Sequence, residues 1–61
     1  MSQVYNPEVE LATEIERLEL EAREARRRIE HAHSEQDRRV LNKQLRELEE
    51  QIGLLQARLS H

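Results

Sequence analysis

The stretch Ala32-His33-Ser34-Glu35-Gln36-Asp37-Arg38-Arg39-Val40-Leu41 decides whether this chain is one long helix or two. N-terminal to it, apolar residues fall at Leu11, Ile15, Leu18, Ala22, Ala25, Ile29 and Ala32. The steps alternate between four and three, which is an unbroken heptad seam along one helix face. C-terminal to it, a second seam runs through Leu41, Leu45, Leu48, Ile52, Leu55 and Leu59 with the same alternation. The nine-residue step from Ala32 to Leu41 is not a whole number of heptads, so the two seams are out of phase. A continuous helix could bridge them only by placing His33 and Asp37 in the apolar stripe, where polar groups without partners are costly. A break avoids this. Ser34 is a good N-cap, and Asp37 stands three residues on, where a capping-box acid belongs.

Working outward, Asn6-Pro7-Glu8 reads as the other helix start. Asn accepts from free backbone N–H groups, Pro suits the first helical position, and Glu8 and Glu10 favour the positive end of the helix dipole. Residues 1–6 carry no helical period and read as a loose arm. The expected organisation is a single helical hairpin over 7–61: a first helix over about 7–32, a turn at about 33–34 and a second helix over about 35–60.

Folded back at Ser34, the seams are expected to meet with Leu11 facing Leu55, Ile15 facing Ile52, Leu18 facing Leu48, Ala22 facing Leu45 and Ala25 facing Leu41. Small residues would thus face large ones. Arms of about 26 residues at 1.5 Å rise give an expected particle length of about 40 Å.

Composition agrees with an all-α class. Charged residues make up 38% of the 61 residues and hydrophobic ones 36%, a balance suited to solvated helices. Tyr5 is the one aromatic residue. Without cysteine there is neither a disulfide framework nor a thiolate metal site. No apolar run is long enough to cross a bilayer and no signal-peptide core is present, so the expected location is the cytoplasm. A chain this small gains little from a two-helix core alone. Self-association is therefore expected, with a homodimeric four-helix bundle first and higher homo-oligomers or an unidentified protein partner behind it. Val9, Ala12, Leu20, Val40 and Leu54 lie off the seams and are candidates for a second face. Gly53 either permits a close helix approach or is simply tolerated in the second helix.

Three constellations bear on function. Residues 23–46 hold eight basic and four acidic side chains, whereas residues 1–22 hold one basic and six acidic. The turn end is thus basic, through Arg26, Arg27, Arg28, Arg38, Arg39 and Lys43, and the open end acidic. Such a tip could take phosphate groups or nucleic acid. Equally, Glu19–Arg23, Glu24–Arg28 and Glu35–Arg39 are i,i+4 pairs in the favourable order and would neutralise much of it. Glu30 and His33 have the spacing that puts a carboxylate and an imidazole on one helix face, as in metal-binding bundles. Near a helix end His31 and His33 are explained more simply by the dipole. No catalytic residue is assigned and no cofactor is implied, because the plentiful carboxylates lack a pocket that would tune them. Membrane-surface binding is not expected either, since the apolar stripe is narrow and lacks Trp and Phe. The leading expectation is a non-enzymatic interaction or scaffold protein that works through its seam. The alternative is a nucleic-acid-binding regulator using the Arg-rich tip, and a metal-binding bundle comes third.

Overall fold

The computed structural model describes residues 6–60. The arm expected over residues 1–6 lies outside them, apart from Asn6. Two helices, α1 (Pro7–Glu30) and α2 (Glu35–Leu59), pack against each other as a hairpin, with no strand among the described residues.

Both helix starts follow from local chemistry. The Asn6 side chain accepts from the backbone N–H of Glu8 at 3.0 Å and of Val9 at 3.4 Å, with Pro7 next to it inside the helix. The Ser34 hydroxyl accepts from the Asp37 N–H at 3.1 Å, and Ser34 itself is extended, at φ −127° and ψ 156°. These side chains satisfy N–H groups that the helix ladder leaves unpaired.

α1 ends at Glu30, before the expected residue 32. The His31 N–H is shared between the carbonyls of Arg27 and Arg28, and the Ala32 N–H turns back to Ile29 at 3.2 Å. This tightening to i→i−3 bonds closes the helix without the left-handed glycine that ends many helices, and no described residue has positive φ.

The register differs from the expected one. Arg26 bonds to Glu49 across the hairpin at 3.1 Å. Ala22 lines one groove together with Ile52 and Gly53. Ala25 lines the opposite groove with both Leu41 and Leu48, and Ala32 lies in a third with Leu41. The helices are therefore offset by about one heptad from the pairing in which Ala22 faces Leu45. The long axis is 52 Å rather than about 40 Å, because the link at His31–Ser34 climbs beside the first turns of α2 before that helix descends.

Apolar pairing explains the offset. In the expected register Ile29 and Ala32 would face Asp37 and Ser34. In the observed one Ala32 meets Leu41, and continuing the register sets Ile29 near Leu45, Leu18 near Leu55 and Ile15 near Leu59. Only Leu11 loses its partner, and it is half-buried rather than buried. Each large apolar side chain newly covered is worth about 1–3 kcal/mol. The exposed Arg26–Glu49 pair, at 57% and 52% exposure, is worth at most about 1 kcal/mol. The ion pair marks the register, and the seam sets it.

Candidate functional site: the seam and its open flank

Burial divides unequally between the helices. Ile15, Leu18, Ala22 and Ala25 of α1 are buried, with Ala22 only 2% exposed. Ile29 and Ala32 are half-buried, as are Leu41, Leu45, Leu48, Ile52 and Leu55 of α2, while Leu59 is exposed. The cause is the size mismatch across the seam. Ala22 and Ala25 let α2 approach closely and are fully roofed by its larger side chains. Those side chains overhang the alanines, and among the described residues a two-helix layer leaves their flanks uncovered. α2 thus presents a half-open apolar edge along its length. Val40 at 53% exposure and Leu54 at 67% lie beside it. Val9 and Leu20 are also exposed, on the opposite face of α1 from the seam.

The turn end gathers the expected cations, but carboxylates hold several of them. Arg26 pairs with Glu49 at 3.1 Å, Arg28 with Glu24 at 3.6 Å and Arg39 with Glu35 at 3.9 Å. Arg27, Arg38 and Lys43 are exposed and are not in ion pairs among the described residues. The Arg26–Glu49 pair depends on the register and was not legible from i,i+4 spacing. Of the expected helical pairs, Glu19–Arg23 is not formed among the described residues. Nearer the open end, Arg17 bridges Glu14 and Glu21 instead. The Arg17 hydrogen bond holds the Glu14 carboxyl below its ordinary pKa, against an opposing effect of desolvation and with a lesser contribution from the cation's charge. In turn the Glu14 hydrogen bond, then the charges of Glu14 and Glu21, raise the Arg17 guanidinium.

Glu30 and His33 do not share a helix face, because α1 stops at Glu30 and His33 lies in the link. No group of three or more His, Asp or Glu side chains close enough to hold a metal occurs among the described residues. The grooves beside the seam are shallow troughs between two helices, and no buried polar side chain lines them among the described residues. No described helix is long and apolar enough to cross a membrane. No family model, no curated protein and no solved structure matches the chain.

Proposed function

We propose that this chain is a non-enzymatic interaction protein that acts by helix–helix association, with a second copy of itself as the first partner and a docked partner helix as the other form of the same contact. The observation that carries the reading is the half-open apolar edge of α2: Leu41, Leu45, Leu48, Ile52 and Leu55 are all left partly uncovered by α1. A further helix laid along that edge would complete their burial. It would supply the apolar area that a 61-residue hairpin lacks by itself.

The test is the concentration dependence of thermal unfolding. Stability linked to association makes the melting temperature rise with protein concentration. A rise across a hundredfold range is the expected result. A melting temperature that does not move overturns self-association.

Nucleic-acid binding at the basic tip is the lesser reading, since Arg26, Arg28 and Arg39 already face carboxylates. Replacing Arg27, Arg28, Arg38 and Arg39 with Ala separates the two. It spares assembly of a scaffold and abolishes a low-salt mobility shift of labelled RNA or duplex DNA if the tip is a binding site.

A further inference from the structure

The open flank of α2 has a symmetry of its own. Asp37, Leu41, Gln44, Leu48, Gln51, Leu55 and Arg58 follow one another in steps of four and three, so they form a single stripe on one side of the helix. The leucines of this stripe are the half-open seam residues, and the others are exposed. Read backwards about a centre between Glu47 and Leu48, the stripe matches itself to within one residue: leucine falls on leucine, glutamine on glutamine and acid on base. Val40 and Leu54, both exposed, flank the stripe on the same side and also exchange places. Self-match under reversal is what an isologous two-fold contact between antiparallel helices requires.

We propose that two hairpins associate side by side through this stripe, α2 against α2 and antiparallel, about a two-fold axis between Glu47 and Leu48. The proposal rests on the self-association reading above and adds to it the face and the orientation. Leu41 then packs beside the partner's Leu55, and Leu48 lies close to its own copy at the axis. Gln44 reaches the partner's Gln51, whose side-chain amides can both give and accept a hydrogen bond. Asp37 meets the partner's Arg58, and Val40 covers the partner's Leu54. The trough between α1 and α2, lined by Ala25, Leu41 and Leu48, is roofed by the incoming helix.

Charge selects this orientation over the parallel one. The basic residues 23–46 at one hairpin's turn end lie over the acidic open end of the other, twice over. In a parallel pairing Asp37 would face its own copy, and basic tip would lie on basic tip, which is unfavourable for charges within a Debye length. Glu47 is the one stripe neighbour set near its own copy. It sits at the rim, exposed, where its side chain can splay into water.

The chain has no cysteine, so single spin labels can be placed without background. Glu50 and Ala57 are suitable sites, because both are exposed on the outer side of α2, away from the stripe. In the antiparallel dimer the Glu50→Cys labels are separated along the axis by roughly 8 Å and the Ala57→Cys labels by roughly 29 Å, at 1.5 Å per residue. Pulsed dipolar spectroscopy should therefore find a clearly longer distance at Ala57 than at Glu50. Equal distances at the two sites would overturn the orientation while leaving association intact. No intermolecular coupling at either site, with a monomeric mass at millimolar concentration, would overturn both the orientation and the self-association on which it rests.

Discussion

Arg26 Nη2 lies 3.1 Å from Glu49 Oε2, across the seam between α1 and α2. The contact marks which turns of the two helices are level with each other. It agrees with Ala22 lying beside Ile52 and not beside Leu45.

An engineered disulfide reads this register directly. Ala22→Cys with Ile52→Cys should close readily under mild oxidation, because both positions line one groove. Ala22→Cys with Leu45→Cys should stay reduced, since its two sites lie about one heptad apart along the axis, beyond the reach of a disulfide. Closure of the second pair and not the first, followed by gel mobility without reductant, would restore the unshifted register.

Both seams, both helix starts and the break were legible in the sequence, and the register was not. Ser34 and Asn6 announce their roles because capping is local: a hydroxyl or amide oxygen two or three residues ahead of an unpaired N–H. The seam residues announce theirs through spacing. A heptad pattern, however, looks the same after a slide of seven residues. Ala22 opposite Leu45 and Ala22 opposite Ile52 are equally plausible pairs of small and large. What separates them is the fate of Ile29 and Ala32 at the far end, together with a link that climbs along α2, and neither is a local property. The Arg26–Glu49 pair was hidden for the same reason. The shared face expected for Glu30 and His33 is not formed, because spacing implies a shared face only while the helix continues, and α1 ends between them.

Removal of the α2 cap should be felt by the whole hairpin. Ser34→Ala deletes the acceptor for the Asp37 N–H at 3.1 Å and should cost about 1 kcal/mol. Ser34→Asp should hold most of the stability, because its carboxylate can accept the same bond. Chemical denaturation of the three proteins at one concentration gives the ranking.

Gly53 lies in the middle of the last turns of α2, and a Cβ built there meets nothing within 4 Å. The close-approach role is therefore not used within the hairpin. Gly53→Ala should stabilise the protein by about 0.5–1 kcal/mol, through reduced entropy of the unfolded chain and better helix propensity. It should leave the oligomeric state unchanged, because Gly53 points away from the open stripe on α2. A destabilised or monomeric Gly53→Ala protein would place a partner against this position.

Glu14 should titrate below the ordinary glutamate range, because Arg17 donates to its carboxylate. Its folded pKa is depressed relative to the unfolded chain. The stability it contributes is therefore complete above the unfolded pKa and is lost as pH falls through the folded one. The group is exposed, so the effect on unfolding is small and the clearer readout is the carboxyl chemical shift. Arg17→Ala should raise the Glu14 midpoint, and an unchanged midpoint would show that the contact does not persist in solution.

Sedimentation equilibrium shows whether a second copy of the chain completes the half-open edge of α2. The hairpin alone is 7.3 kDa, and twice that mass is expected for the native protein at high micromolar concentration. Leu48→Glu should return the monomer mass, by placing two carboxylates at the two-fold axis. A native protein that sediments as the 7.3 kDa species throughout, while keeping its helical circular dichroism, would show that no second copy covers the edge of α2.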